Sequence, residues 1–317
     1  MYQPHRLDPD LAPYAAPMTD WLKLEDIPAA RAGLEAMLGQ LAAQAPEFPD
    51  IETHDERVPG PKKAPDIMLR VYRPQGHTGR LPVVYYIHGG GMVLGSVPGS
   101  DVYCKNLCRS VVATVVSVEY RLAPEHPYPA PLEDCYAGLL WLSENAGKLN
   151  VDAKRIAIMG DSAGGGLATG LGLLARDRKK IKIAFQALIY PMIDDRNVKS
   201  ARVAKGDHYV WSRANNKHGW QAYLGRKFGT ASVPVYAAPA RAKNVAGLPP
   251  TYICSGDMDL FLKEDMALAG KLMAAHVPVE LHIYPGAFHG FDSLAGTAEI
   301  SQRATADIAR ALRRALA

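Results

Sequence analysis

Apolar and polar positions alternate where Ile67, Leu69 and Val71 interleave with Met68, Arg70 and Tyr72, which predicts a half-buried strand. Further along, Val83 to Ile87, Val111 to Val118, Ile156 to Met159, Phe185 to Ile189 and Thr251 to Cys254 are short runs rich in β-branched and aromatic residues. Continuous apolar runs of this length suit strands covered on both faces. A last strand is expected over Val279 to Tyr284. Between these runs, apolar residues recur at helical spacing over Leu132 to Leu142, Leu167 to Ala175, Lys263 to Ala275 and Ala304 to Leu316. Strands alternating with helices predict an α/β fold: a mostly parallel sheet with helices on both faces.

Two stretches break the alternation. The first 50 or so residues lack strand patterning; Trp21-Leu22 with Leu24, then Ala29 to Leu41, predict two amphipathic helices. Residues of about 192–247 are rich in charge, Trp and Tyr, with helix expected only around Tyr209 to Tyr223. They have the character of an insertion between two strands of one domain spanning 1–317.

Composition narrows the class. Of 317 residues, 48% are hydrophobic and 21% charged, an ordinary globular balance that excludes disordered and coiled-coil chains. Lys+Arg of 36 against Asp+Glu of 32 leaves a net charge of +4, and no basic run exceeds Arg178-Lys179-Lys180, so no nucleic-acid partner is expected. The longest stretch free of charged side chains, Leu81 to Ser100, contains Pro82, Pro98 and five glycines, so no membrane span is expected. His5, Arg6, Asp8 and Asp10 interrupt any apolar leader. Cys104, Cys108, Cys135 and Cys254 in so long a chain suit a reducing compartment, and Cys104-x3-Cys108 lacks the companion ligands of a zinc site. A cytoplasmic protein without metal or cofactor is the expectation.

The candidate chemistry begins at Gly160-Asp161-Ser162-Ala163-Gly164, which follows the run Ile156 to Met159 and opens a predicted helix. A G-x-S-x-G turn between strand and helix presents its serine at the tip of a strained elbow, with the helix N–H groups aimed at the reacting centre. A glycine-rich turn could instead cradle phosphate, but no Lys-Ser/Thr pair follows it. His88-Gly89-Gly90-Gly91 succeeds the run Val83 to Ile87; three glycines leave backbone N–H groups uncovered. Two of these, with that of Ala163, could hold a tetrahedral oxyanion. Met92-Val93-Leu94 then reads as the wall of a pocket.

HGGG at 88–91, YRLAPEHPYPAPLEDC at 120–135 and GDSAGGGLA at 160–168 together resemble the hormone-sensitive-lipase-like family of α/β-hydrolase esterases, from about residue 65 to the C-terminus. The resemblance implies an eight-stranded sheet and a helical cap built from about 1–50 and about 192–247. It also implies oxyanion donors at Gly90 and Gly91, with Ala163 as the third, and a structural role for His88 in anchoring their loop. The α/β-hydrolase triad runs Ser, acid, His along the chain. His276 ends a helix, and His282 sits inside a strand on its expected solvent face. His289 lies in the loop after the last strand and is the expected base. Asp257, Asp259, Glu264 and Asp265 all follow the strand Thr251 to Cys254; the family's Asp-x-Leu/Phe context selects Asp259, with Asp257 as runner-up.

The expected activity is hydrolysis of short- to medium-chain carboxylic esters by Ser162, His289 and Asp259. Lactone, amide or carbamate hydrolysis by the same groups is the alternative. A binding receptor on the same fold is a remote one, because such receptors lose the base. Asp161, Met92, Val93, Tyr209 and Trp211 are candidate pocket residues. The edge of the strand Val279 to Tyr284 offers a surface for a homodimer.

Overall fold

The structure, a computed structural model, describes residues 7–18, 21–198 and 209–317. Eight strands form one sheet: β1 (Ile51–Val58), β2 (Ile67–Pro74), β3 (Leu81–Ile87), β4 (Thr114–Glu119), β5 (Val151–Asp161), β6 (Phe185–Ile189), β7 (Thr251–Gly256) and β8 (Val279–Tyr284). Their spatial order is β1-β2-β4-β3-β5-β6-β7-β8. The β1–β2 and β2–β4 pairings are antiparallel and all later ones parallel. The helices are α1 (Ala12–Ala15), α2 (Ile27–Ala43), α3 (Asp101–Val111), α4 (Ala130–Glu144), α5 (Ala163–Arg178), α6 (Arg213–Leu224), α7 (Leu262–Ala274), α8 (Phe291–Leu294) and α9 (Glu299–Leu316).

The continuous apolar runs are strands with two buried faces. In β5, Ile156 and Ile158 pack into one core, while Ala157 and Met159 pack into the other. β3 divides the same way: Val83, Tyr85 and Ile87 face one side, Val84 and Tyr86 the opposite. Side chains alternate across a strand, so every residue of a central parallel strand must be apolar or hydrogen-bonded.

Several sequence expectations change. β1 was not expected, because IETHDERV shows its polar side chains to solvent; only Ile51 and Val58 are buried. It exists as the outer strand of a hairpin, held by pairing from Ile51 with Pro74 to Val58 with Ile67. Val111 ends α3 instead of starting β4. In α3 the buried residues are Cys104, Leu107, Cys108 and Val111, so the Cys104-x3-Cys108 spacing is part of a helical apolar stripe. Residues Trp21 to Leu24 form no helix. His282 does not point freely to solvent: its ring is half-buried, 3.0 Å from Glu280 and 3.3 Å from Asp307 of α9. Of the segments expected to form the cap, residues 1–6, 19–20 and 199–208 lie outside the described residues.

Candidate active site

Ser162 stands at the junction of β5 and α5 with φ 54° and ψ −119°. Its N–H donates to the Ile189 carbonyl at 2.8 Å, and its own carbonyl accepts from Met192 N–H at 2.8 Å. The strained conformation is therefore clamped on both sides. The flanking glycines are sterically required. A Cβ on Gly160 would strike the Gly164 backbone, and one on Gly164 would strike the carbonyl oxygens of Ile87 and His88. Strand, elbow and the 88–91 loop thus close on each other only because these positions carry no side chain.

Loops at the C-terminal ends of β7 and β8 bring two further groups to Ser162. His289 Nε2 lies 2.9 Å from Ser162 Oγ, and His289 Nδ1 lies 2.7 Å from Asp259 Oδ2. The other carboxylate oxygen of Asp259 accepts the Phe261 N–H at 2.8 Å. Aromatic edges hold the imidazole, with Tyr190 at 4.7 Å and Phe261 at 5.1 Å between ring centroids. All three polar residues are buried, with Ser162 only 5% exposed. Asp257 is not part of this set; it accepts Gly286 N–H at 2.6 Å and closes the turn after β8. Glu264 and Asp265 occupy the first turn of α7, where Glu264 accepts the Ile193 and Asp194 N–H groups.

Across from Ser162 lies the loop after β3. Gly90 and Gly91 have φ of 109° and 63°, and Gly90 O accepts from Val93 and Leu94 N–H. Among the described residues, nothing accepts a hydrogen bond from the backbone N–H of Gly90 or Gly91. Ala163, as first residue of α5, also has a free N–H. His88 is buried, its pKa lowered to about 4 by loss of water, so it is neutral at physiological pH. It stacks on Tyr120 at 4.2 Å, and Tyr120 Oη donates to the His88 carbonyl at 2.8 Å. That contact shows why the Tyr120-Arg121 segment belongs beside the 88–91 loop.

A cavity of about 200 Å³ opens above Ser162. Asp161, Trp21 and Trp211 line it. Met92 and Val93 do not: with Met92 at φ 60° the chain reverses, both side chains enter the core, and Leu94 reaches the cavity instead. Tyr209 packs its ring on Phe288 at 5.8 Å and does not reach the cavity either. Trp220 and Tyr223, on the inner side of α6, are fully buried. Residues the sequence reading missed include Leu34, Met37 and Leu38 of α2, and Tyr86, Tyr103 and Tyr190.

Arg31 was also missed. From α2 it donates to the carbonyls of Val93 and Ala123 at 2.8 and 2.9 Å and makes a bidentate pair with Glu125. No local sequence signal marks it, since two of its partners are backbone carbonyls far along the chain.

A largely parallel sheet, with a serine on the strand-to-helix turn and its histidine and aspartate on later loops, defines an α/β hydrolase. The family described by the α/β-hydrolase fold matches residues 84–293. The chain is 35% identical over 278 residues to esterase LipI of Mycobacterium tuberculosis, covering 86% of each. It is 30% identical to the ethyl acetate hydrolase of Pseudomonas putida, covering 78% of each. Among solved structures, a bacterial heroin esterase superposes with a TM-score of 0.92 at 39% identity, covering 98% of both chains. The chain belongs to the hormone-sensitive-lipase-like esterase family of α/β hydrolases.

Proposed function

We propose that this carboxylic ester hydrolase acts through Ser162 as nucleophile, His289 as general base and Asp259 as the carboxylate that orients the imidazole. The observation that carries the reading is the pair of contacts at 2.9 and 2.7 Å that run from Ser162 Oγ through His289 to Asp259. Ser162 Oγ attacks the ester carbonyl while its proton passes to His289 Nε2. The charge that develops on the carbonyl oxygen meets the N–H groups of Gly90, Gly91 and Ala163. Each such donor is worth about 3 kcal/mol of transition-state stabilisation. Collapse of the tetrahedral species expels the alcohol, which takes the proton from His289. Water, deprotonated by the same imidazole, then hydrolyses the acyl-enzyme and returns Ser162. Asp259 holds the imidazole tautomer and stabilises the imidazolium.

The segments of about 1–50 and about 192–247 act as the cap in this reading. α2 supplies Leu34, Met37 and Leu38 to the cavity, and Trp211 lies against Gly91. Asn215 of α6 donates to the Leu22 carbonyl at 3.0 Å, so the two segments hold each other. A cavity of about 200 Å³ supports short to medium acyl chains. Turnover of p-nitrophenyl esters from acetate to palmitate tests this. Rates should peak among the shorter chains and vanish in Ser162→Ala; a maximum at palmitate would reject the chain-length assignment.

We further propose a cytoplasmic location and a homodimer joined along β8. Four buried free cysteines suit a reducing compartment. No helix among the described residues is long and apolar enough to cross a membrane. β8 ends the sheet and exposes Leu281, as a pairing edge would. Sedimentation showing only monomer at micromolar concentration would remove the dimer.

A further inference from the structure

One carboxylate that the hydrolytic mechanism does not use, Asp161, adjoins Ser162, and a second, Asp292, is near enough to act on it electrostatically. Asp161 precedes the nucleophile and lines the cavity; its Oδ1 accepts Tyr86 Oη at 2.5 Å. Asp292 is 5% exposed. Its Oδ1 accepts Tyr190 Oη at 2.6 Å, and its Oδ2 has no hydrogen-bond partner among the described residues. Asp292 lines a second chamber of about 350 Å³. That chamber shares Leu38, Gly99, Tyr103 and Ser293 with the cavity over Ser162, so the two adjoin.

Neither chamber has a lysine or arginine among its described lining residues. The basic group that acts on both carboxylates is His289, already committed to Ser162. Burial raises both acids, and Asp292 pushes Asp161 up further, to about 6, which still leaves Asp161 ionised at neutral pH. Buried carboxyl groups with no lysine or arginine beside them are costly to ionise, and a positive group brought by a ligand would favour the charged form. The walls also suit a cation. Trp21, Trp211, Tyr103 and Tyr190 face the cavity over Ser162, and indole and phenol faces attract quaternary ammonium groups.

We propose that this acidic, aromatic cavity is an ammonium subsite, so that the preferred substrates are esters whose alcohol portion carries a positively charged nitrogen. The proposal rests on the assignment of Ser162 as nucleophile, since it places the ammonium group in the same cavity as the reacting carbonyl.

Choline acetate and 3,3-dimethylbutyl acetate differ by a quaternary nitrogen in place of a quaternary carbon, and they form the test pair. Their kcat/KM values should favour the choline ester by at least about tenfold. That ratio should collapse towards one in Asp161→Asn and Asp292→Asn. Equal turnover of the two esters by the unaltered enzyme would overturn the proposal. So would a loss of rate in the variants that falls equally on both esters, because it would place the carboxylates' effect at His289. Calorimetric titration with choline and with 3,3-dimethylbutanol supplies an arm independent of turnover. Tighter binding of choline, weakened in both variants, is expected. If neither ester is hydrolysed, the esterase assignment fails, and the calorimetry still decides the subsite.

Discussion

Arg31 Nε donates to the Val93 carbonyl at 2.8 Å, three residues beyond Gly90, while the same guanidinium grips Glu125 with both terminal nitrogens. A residue of α2 thereby ties down the chain just after the 88–91 loop, whose N–H groups hold the oxyanion in the proposed mechanism. The pairing holds Glu125 well down, at about 2, so the contact is charged throughout the working pH range. Replacing Arg31 by alanine removes the tie without touching a reacting atom. Because sub-ångström placement of oxyanion donors matters, kcat should fall about tenfold with little change in KM. Lysine cannot reproduce the fork, so Arg31→Lys should recover only part of the rate. Steady-state kinetics on one p-nitrophenyl ester checks both; an unchanged kcat in Arg31→Ala would dismiss the positioning role.

Asp257 and Asp259 lie two residues apart and should behave as different chemical species. Asp259→Asn leaves His289 with the wrong tautomer facing Ser162, and kcat should drop by about 10⁴. Asp257→Asn weakens only the bond to Gly286 N–H and should cost about 1 kcal/mol of stability with kcat within a few-fold of normal. Kinetics and thermal melts of the two variants, measured side by side, decide which aspartate serves His289.

Glycine substitutions divide by what a Cβ would meet. Gly164→Ala drives a methyl into the carbonyls of Ile87 and His88, and should cost about 3 kcal/mol together with most activity. Gly39→Ala, in the middle of α2 with nothing within 4 Å, should instead stabilise by about 0.5–1 kcal/mol. Equal melting temperatures for the two variants would contradict the steric account of the elbow.

Asp161 makes stability depend on pH in a definite direction. Its folded-state pKa of about 6 lies above the ordinary carboxyl value, so protonation favours the folded state. Its stabilising contribution is complete below about pH 4 and is lost as pH rises through about 6. Asparagine mimics the protonated form and escapes that loss. The stability advantage of Asp161→Asn over the unaltered protein should therefore widen by about 1–2 kcal/mol between about pH 4.5 and about pH 7.5. A stability difference independent of pH would show that Asp161 ionises at no cost.

The proposed nucleophile and base stand out in the sequence because local chemistry constrains them. Gly160, Ser162 and Gly164 meet between a strand and a helix, and His289 alone among the later histidines follows a strand in a loop. The acid was legible only through the family motif, since four carboxylates cluster after β7 and local sequence does not say which one turns towards the imidazole. Other features depend on contacts that no window of sequence contains. β1 is hidden because an edge strand can carry charges: Asp55 pairs with Arg70 of the neighbouring β2, and Glu56 with Lys148. Met92 and Val93 read as pocket wall until the positive φ at Met92 turns them inward. Arg31 and Asp292 are ordinary surface-type residues in sequence, and acquire a role only when α2 and α8 fold against the 88–91 loop and Tyr190.

The most direct test of the central claim is to treat the enzyme with a fluorophosphonate and locate the adduct by peptide mass spectrometry, alongside ester turnover by Ser162→Ala. The account predicts a single adduct on Ser162, loss of turnover in step with labelling, and neither labelling nor turnover in the variant. An adduct on another serine, or normal hydrolysis by Ser162→Ala, would contradict it.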